Sequence, residues 1–471
     1  MRKLCIVLFV LVIFNIVSAQ NLSSANLHAD YYSAAEQFSP SENPNGTWTY
    51  GYSKRLGSRF NPLTTAGGCN CADEYNGWYG PSGPGSAPMI VTSSGLAQQY
   101  AIKLQASSNT TTVLRWTAPS SGKYDLIANF YGVSGGSTIA ILVENRIRFQ
   151  DIISAANDRK WSWLTFRAAQ GDTVDFVVGS KGDLTDSGVL LQAMIRTHNY
   201  RFEVIDPPGS RWTITRRINN LGAIAGAFRD NQGVYHGFVL HKGNYIVIDY
   251  QDPEGEFVAG GTYALGINDW GQVVGYAFSA DYTTVRSFLW QNGKFKNITV
   301  PGLTNVGAQG INNWGEIVGY SDTNAFLLQR DGKWLSIAPP EISYYPSAEV
   351  VTTFGKVGGN YYDQDFWIHS FVRDTKGNYS DISFPGATDT VLYGMNDWGV
   401  ISGRYFGGPV CAPDYSYGQS FMKVGARYLP IWVPGQISSG VDGLNNFGVI
   451  TGLAIDVNGI GHGFIGIPDT E

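Results

Sequence analysis

The sequence predicts an all-β protein in which a β-sandwich is followed by a six-bladed β-propeller. Three observations predict this class. Charged residues make up only 15% of the chain, while 14% are aromatic and 58 of the 471 residues are glycine, a composition typical of turn-rich β proteins. Short alternating apolar segments separated by turns run from residue 112 to residue 195, as in a sandwich. One motif recurs six times between residues 218 and 448, as in propeller blades.

The first residues predict export. Arg2 and Lys3 precede an apolar run from Leu4 to Val17, and small residues end it at Ala19, so residues 1–19 are read as a signal peptide. The alternative is a membrane anchor, but the run is shorter than the roughly 20 residues that a spanning helix needs. We expect a secreted, extracellular protein whose mature chain has no transmembrane segment.

The net charge argues against one class of partner, and the cysteine count limits the possible disulfides. The net charge is −6 and there is no basic stripe, which argues against nucleic acid as a partner. The mature chain keeps three cysteines, Cys69, Cys71 and Cys411, and an odd number leaves at least one thiol outside an intramolecular disulfide. Their pairing and the oligomeric state stay open.

Residues 20–197 are predicted to form the sandwich. Strands are expected at residues 113–117, 123–130, 138–143, 163–167, 173–178 and 189–195. Three segments resemble a jelly-roll domain of secreted bacterial proteins, many with a PEP-CTERM sorting tail: residues 38–51, 115–124 and 169–176. The resemblance implies a jelly roll, and sandwiches of this kind are similar to carbohydrate-binding modules. This chain ends in a polar segment and not in such a tail.

Two features of this domain are candidate sites. Trp78 and Tyr79 lie in a Gly- and Pro-rich stretch, residues 66–88, and either stack on sugar rings or simply cover the edge of the sandwich. The segment Gly182–Asp186 is a candidate for a structural calcium ion, since calcium binds clustered oxygens; the alternative is a polar turn. No other cofactor is predicted.

Residues 201–467 are predicted to form the propeller. The repeated motif, called the Asn–Gly motif here, reads aliphatic-Asn-Asn/Asp-x-Gly-x-aliphatic-x-Gly, with a degenerate fourth copy that has Thr352 and Thr353. Its first residues are spaced by 40 to 49 positions, the period of propeller blades. The six copies begin at Ile218, Ile267, Ile311, Val351, Met395 and Leu444.

Two further motifs follow the same period. A Phe-containing segment follows each copy, and a third, apolar segment ends each unit in a turn. The third segment also occurs before the first Asn–Gly motif and is missing after the last. We therefore expect residues 201–205 to pair with the strand at 463–467 and complete the last blade.

The residues of the Asn–Gly motif have physical roles. Asn and Asp stabilise turns through side-chain hydrogen bonds to the backbone, and the first Gly supplies a positive φ. The second Gly, as in Gly275, is expected to allow close approach between packed sheets. The units resemble the extracellular repeat family named for its His-Ala-Phe signature, here His-Gly-Phe or Ser-Phe. The resemblance implies secretion and repetition, and no catalytic residue comes with it.

Several side chains in the repeats are candidate sites. Trp270, Trp314 and Trp398 share one turn position, so they are candidates for stacking on saccharides from one rim; the alternative is packing on the neighbouring blade. His236, His369 and His462 recur at or near one repeat position and are expected to be architectural and not metal ligands. Acidic residues such as Asp363 and Asp365 are expected in exposed loops.

Three functions follow. The first is a secreted, non-catalytic protein that binds a glycan or cell-surface component. The alternatives are an extracellular polysaccharide-degrading enzyme with a propeller catalytic domain, and a structural matrix protein. An inward-facing acidic pair in the propeller funnel favours the enzyme, because glycoside hydrolysis uses two carboxylates. Aromatic strips without acids favour binding, and a flat polar funnel favours the matrix role.

Overall fold

A computed structural model describes residues 31–68, 76–83, 87–92, 101–133, 136–180, 188–337, 339, 344–407 and 418–469. Every regular element in these ranges is a β-strand, so the all-β class is confirmed. None of the described residues forms a helix that could cross a membrane. The predicted signal peptide, the three cysteines and the segment 182–186 lie outside the described residues.

The N-terminal part contains the first fourteen described strands. They are β1 (Tyr31–Ser33), β2 (Trp48–Ser53), β3 (Asn61–Pro62), β4 (Thr65–Gly68), β5 (Asn76–Tyr79), β6 (Met89–Thr92), β7 (Ile102–Gln105), β8 (Thr111–Thr117), β9 (Gly122–Gly132), β10 (Ser137–Val143), β11 (Arg146–Ile153), β12 (Arg159–Ala168), β13 (Thr173–Ser180) and β14 (Gly188–Thr197).

These strands form two antiparallel sheets. One runs β12-β9-β14-β7-β6-β5-β4, with β1 also paired to β14, and the other runs β11-β10-β13-β8-β2-β3. A single apolar cluster draws on both sheets, including Trp48 and Trp116 from one and Phe130 from the other. The two sheets therefore pack face to face over one core. The six strands expected between residues 112 and 195 are all present, whereas β11 was not anticipated.

The C-terminal part contains strands β15 to β38. They are β15 (Tyr200–Ile205), β16 (Trp212–Ile218), β17 (Ile224–Arg229), β18 (Tyr235–His241), β19 (Asn244–Ile248), β20 (Ala259–Ile267), β21 (Val273–Ser279), β22 (Val285–Gln291), β23 (Lys294–Ile298), β24 (Gly307–Ile311), β25 (Ile317–Tyr320), β26 (Ala325–Leu328), β27 (Trp334–Ser336), β28 (Tyr344–Val351), β29 (Val357–Tyr362), β30 (Ile368–Arg373), β31 (Tyr379–Ile382), β32 (Asp389–Met395), β33 (Ile401–Phe406), β34 (Gln419–Val424), β35 (Arg427–Ile431), β36 (Ser438–Leu444), β37 (Ile450–Ile455) and β38 (Gly461–Pro468).

These strands form six small sheets of four strands each. Sheets 1 to 5 are consecutive runs from β16 to β35, and sheet 6 has the order β15-β38-β37-β36. The first strand of the region thus completes the last sheet, with Arg201 opposite Ile467 and Ile205 opposite Gly463. The predicted pairing of residues 201–205 is confirmed residue by residue.

The six sheets close into a ring. The strands β16, β20, β24, β28, β32 and β36 contact one another in sequence, and β36 returns to β16. Six separate apolar clusters each join two neighbouring sheets, and one of them joins Ile205 of sheet 6 to Ile218 and Ile224 of sheet 1. Within the ring, each sheet therefore buries its apolar faces against its two neighbours, as expected for units too small to fold alone.

The second Gly of the Asn–Gly motif has a different role from the one predicted. A Cβ at Gly275 would overlap the carbonyl oxygen of Tyr263, which lies on the paired strand of the same sheet. The corresponding glycines of the other five sheets meet a carbonyl oxygen in the same way. The close approach is thus within each sheet and not between sheets.

The sandwich contacts the ring through a junction that combines buried charged groups with apolar side chains. Arg196 is fully buried and contacts Asp125 at 3.2 Å, and its guanidinium also donates to the carbonyl oxygen of Trp432 at 3.2 Å. Trp432 packs on Ile127 and Met194 of the sandwich. The contact lies at the end of the ring where the fifth sheet leads into the sixth.

Candidate functional site

The Asn–Gly motifs lie at one end of the ring, called the upper end here. Each motif joins the innermost strand of a sheet to the next strand, whereas the turns between the second and third strands lie at the opposite, lower end. The first Gly of all six motifs has a positive φ, between 71° and 81°, as the sequence predicts. The upper end is therefore built from six copies of one turn.

Side chains of the first Asn tie these turns into a circle. Asn268 illustrates the arrangement: its Oδ1 accepts from the backbone N–H groups of Trp270 and Gln272, and its Nδ2 donates to the carbonyl oxygen of Asn312 in the next sheet. The circle closes where Asn445 donates to the carbonyl oxygen of Asn219 at 3.2 Å. Thr352 lacks the amide group, so one link is absent at the fourth motif.

The second polar position of the motif makes a further circle of bonds. The Asp269 carboxylate accepts from the side-chain amides of Asn220 and Asn313, at 2.9 and 2.7 Å. The Asp397 carboxylate accepts from the amide of Asn446 at 2.8 Å. These side chains surround a cavity of about 80 Å³ at the mouth of the ring. The mouth is polar, and its hydrogen-bonding groups are largely engaged with one another.

An apolar rim surrounds this polar mouth. Trp270, Trp314 and Trp398 are exposed over 70%, 64% and 59% of their surface. The same position of the remaining three motifs also carries an exposed apolar side chain. The six members of the rim are Leu221, Trp270, Trp314, Phe354, Trp398 and Phe447.

Each tryptophan of the rim is held in place by the neighbouring sheet. The indole N–H of Trp270 donates to the carbonyl oxygen of Asn313, and that of Trp314 donates to the carbonyl oxygen of Thr353, both at 3.0 Å. Trp398 makes the equivalent bond to Asn446 at 3.3 Å. The contact with the next sheet therefore exists, as the alternative interpretation expected, but it uses the ring edge and leaves much of each indole exposed.

Below the mouth, one residue of each innermost strand lies at a bulge. The register of every first strand shifts at the same point, two residues before the aliphatic residue of the Asn–Gly motif. The residues skipped by these shifts are Arg216, Leu265, Gln309, Glu349, Tyr393 and Asp442. The bulge frees these positions from the regular strand alternation.

Charges at these positions meet across the centre of the ring. Arg216 of sheet 1 contacts Glu349 of sheet 4 and Asp442 of sheet 6, each at 3.4 Å, and Arg404 contacts Asp442 at 3.5 Å. Burial alone lowers the pKa of Arg216, but the charges of Asp442 and Glu349 outweigh it and raise the pKa. The inward-facing carboxylates are therefore neutralised by buried arginines.

Trp78 and Tyr79 are not exposed in the structure. Tyr79 is fully buried, and Trp78 packs in the sandwich core with its indole N–H donating to the carbonyl oxygen of Ser39 at 2.7 Å. Both lie on β5, a strand inside a sheet and not in a loop. The expectation of a sugar-stacking pair at these residues is corrected: their rings offer no free face to a ligand.

The repeated histidines lie at the lower end, each beside a carboxylate. His236 bonds Asp249 at 2.7 Å and Asp230 at 3.3 Å, and His462 bonds Asp206 at 2.7 Å. His369 bonds Asp363 at 2.9 Å. Within the described residues, no group of three or more His, Cys, Asp or Glu side chains is arranged to hold a metal.

Sequence reasoning missed half of the rim and all of the bulged residues. Leu221, Phe354 and Phe447 occupy the position of the three tryptophans and are visible once the motifs are aligned with one another. The bulged residues sit two places before each motif in every copy, yet their types differ. At three of these positions the residues are charged, and these three, Arg216, Glu349 and Asp442, meet at the ring centre.

Known proteins resemble this chain only distantly. Neither a protein-family model nor a curated protein sequence matches it. A mutant of AofleA from Arthrobotrys oligospora is 11% identical, with 58% of this chain and 89% of that chain covered and a TM-score of 0.34. A mutant of the Aleuria aurantia lectin, in complex with Fucα1-6GlcNAc, is 12% identical, with 55% and 93% covered and a TM-score of 0.34. BP39L lectin from Burkholderia pseudomallei is 13% identical, with 71% and 96% covered and a TM-score of 0.32.

Proposed function

We propose that this chain is a secreted, non-catalytic protein that binds a glycan or cell-surface component through the rim at the upper end of its ring. In this proposal the N-terminal sheets are a jelly roll and the ring is a six-bladed β-propeller. The observation that carries the proposal is the exposure of six apolar side chains, one from every repeat, around one polar mouth.

The geometry of the tryptophans supports recognition of saccharides. An exposed indole presents a rigid apolar face at low cost in conformational entropy, and apolar faces of sugar rings pack well against it. The indole N–H groups are already bonded to the neighbouring sheet, so each ring has a fixed orientation before a ligand arrives. Preorganisation of this kind lowers the cost of binding.

The interior of the ring favours binding over catalysis. A hydrolase needs one carboxyl group that can donate a proton to the substrate and a second that faces it. Glu349 and Asp442 point inward, but both are ion-paired with Arg216, and the Asp442 side chain is fully buried. The rim is also strongly apolar, whereas a matrix protein without a ligand would need only a flat polar end.

The test uses the mature chain on a glycan array, followed by calorimetric titration of the tightest glycan. Trp270→Ala, Trp314→Ala and Trp398→Ala should each weaken binding about 2- to 10-fold, since one aromatic contact contributes about 0.5–1.5 kcal/mol beyond burial. The triple variant should lose measurable binding. Melting temperatures are recorded for every variant.

Trp334→Ala is the matched control. Its indole also donates to a carbonyl oxygen, that of Pro301 at 3.1 Å, but the residue lies on the outermost strand of its sheet. This variant should keep full affinity. The proposal is wrong if no glycan binds, or if the rim variants lower the melting temperature while the folded fraction binds as tightly as the wild type.

A further inference from the structure

A second, separate pocket lies at the lower end of the ring, between the fourth and fifth sheets. It has a volume of about 550 Å³, within the range of about 300–1,000 Å³ that small-molecule sites occupy. Four aromatic side chains dominate its walls, and one threonine and one carboxylate supply polar groups. The lining includes Tyr362, Phe366, Trp367, Thr388, Asp389 and Phe406.

The backbone at Phe366 adopts a conformation that is unfavourable for a bulky residue. Phe366 has a φ of 62°, in the left-handed region that disfavours residues with a Cβ. The equivalent turns of the first and sixth sheets have Gly233 and Gly459 at this position, with φ values of 92° and 78°. A bulky apolar residue therefore replaces the residue best suited to the turn.

Phe366 does not offset this strain by burial, because 65% of its surface is exposed. Its ring stacks on Tyr344 with centroids 6.3 Å apart. The adjoining Tyr345 also has a positive φ, 48°, and is 70% exposed. Strained residues cluster at functional sites, and Phe366 also lines the pocket, so the strain, the exposure and the pocket together point to a ligand.

We propose that this pocket is a second saccharide site, which binds an uncharged sugar ring against Phe366 and Trp367. None of the described residues that line the pocket is a lysine or arginine, so these residues offer no counter-charge to an anionic ligand. Asp389 accepts from the backbone N–H of Ile368 at 2.8 Å and from the Thr388 hydroxyl at 3.0 Å. A carboxylate has about four acceptor positions, which leaves two for sugar hydroxyl groups.

The two sites face opposite ends of the ring. The rim lies beside the Asn–Gly motifs, whereas Phe366 lies in the turn between the second and third strands of its sheet. One molecule with both sites filled would link two separate glycan chains. This site does not depend on the rim, and either proposal can fail while the other holds.

The experiment uses the full mature chain and five methyl glycosides, of glucose, galactose, mannose, fucose and N-acetylglucosamine, in saturation-transfer NMR. Phe366→Gly should reduce the affinity of the binding glycoside about tenfold or more, while the melting temperature stays equal to or above that of the wild type. Relief of the left-handed strain predicts this gain in stability. Trp367→Ala should weaken binding without the gain.

Tyr282→Gly is the matched control, because Tyr282 also has a positive φ, 58°, in the corresponding turn of the second sheet. Its hydroxyl donates to the carbonyl oxygen of Gly260, and it should keep full affinity. The triple rim variant should keep glycoside binding at the lower pocket. The proposal is overturned if no glycoside gives a signal, or if Phe366→Gly and Trp367→Ala bind as the wild type does. Equal loss in Tyr282→Gly would also overturn it.

Discussion

The sandwich and the ring reach stability by different routes. In the sandwich, one continuous apolar core joins both sheets and includes the fully buried Trp48 and Trp116. In the ring, six smaller clusters each join only two neighbouring sheets. The ring adds circles of polar bonds at its mouth and an ion-paired network at its centre. A ring of repeats therefore depends on closure, whereas a sandwich depends on its single core.

Loss of the closing strand should have the largest effect. Replacing residues 201–205 with a Gly/Ser linker of equal length removes β15 from sheet 6 and exposes a strand edge, which invites aggregation. Replacing Asn244–Ile248, the outermost strand of sheet 1, removes a similar strand that does not join the two ends of the ring. We expect a lower melting temperature and more aggregation from the first replacement, by calorimetry and light scattering. Equal behaviour of the two would contradict the closure argument.

Breaking the central ion pairs should have the next largest effect on stability. Arg216→Met leaves Glu349 and Asp442 with less compensation inside the ring, and breaking a buried pair from one side costs about 3–5 kcal/mol. Arg115→Met is the comparison variant in the sandwich, where Arg115 makes two hydrogen bonds to Asp175, at 2.7 and 2.8 Å, but is only partly buried. Its cost should be smaller, about 1–3 kcal/mol. Urea unfolding measures both. Equal costs would show that the central network is no more critical than a partly buried pair.

A smaller, stabilising effect is expected at the mouth. Thr352→Asn should restore the missing amide donor of the fourth motif and add a bond to the carbonyl oxygen of Asn396. One such bond contributes about 1 kcal/mol to the free energy of unfolding. Thr353→Asn is the comparison variant, because it adds an amide at the second polar position of the same motif and not at the first. A Thr352→Asn protein that is less stable than the wild type would show that the circle of amides is not cooperative.

The smallest expected effect is the change in ring stability with pH. Burial lowers the pKa of His236, but its bonds to Asp249 and Asp230 outweigh this and raise the pKa above 6.5. Its contribution to ring stability is thus complete below pH 6.5 and is lost as the pH rises through the higher folded value. Melting curves between pH 5.5 and 8.5 should show this decline, and His236→Asn should reduce it. An unchanged decline in that variant would assign it to another group.

The junction between the sandwich and the ring should lose stability at acid pH, on the opposite side of the pH range. Burial raises the pKa of Asp125, but the hydrogen bond from His198 and the charge of Arg196 outweigh it, so the pKa lies below 3.8. The stabilising contribution of Asp125 is present above pH 3.8 and is lost as the pH falls through the lower folded value. Asp125→Asn should therefore flatten the acid side of the stability curve, and His236→Asn should not.

Local sequence determined much of the architecture. The number of copies of the Asn–Gly motif determined the number of sheets, and the order of the three segments determined the pairing of β15 with β38. These features are local because a turn needs particular residues at fixed offsets, and each repeat carries its own copy. Six strands of the sandwich could be predicted from the sequence for the same reason, because the alternating residues and the turn residues lie within a few positions of one another.

Only the tertiary structure decided which side chains meet and which are exposed. Trp78 and Trp270 are both aromatic residues beside glycine, yet one lies in a core and the other on a rim, because exposure depends on what packs above a strand or turn. Arg216 and Glu349 are 133 residues apart and meet only because sheets 1 and 4 face each other across a closed ring. Likewise, the pocket beside Phe366 exists only because Thr388, Asp389 and Phe406 of the fifth sheet lie next to the fourth.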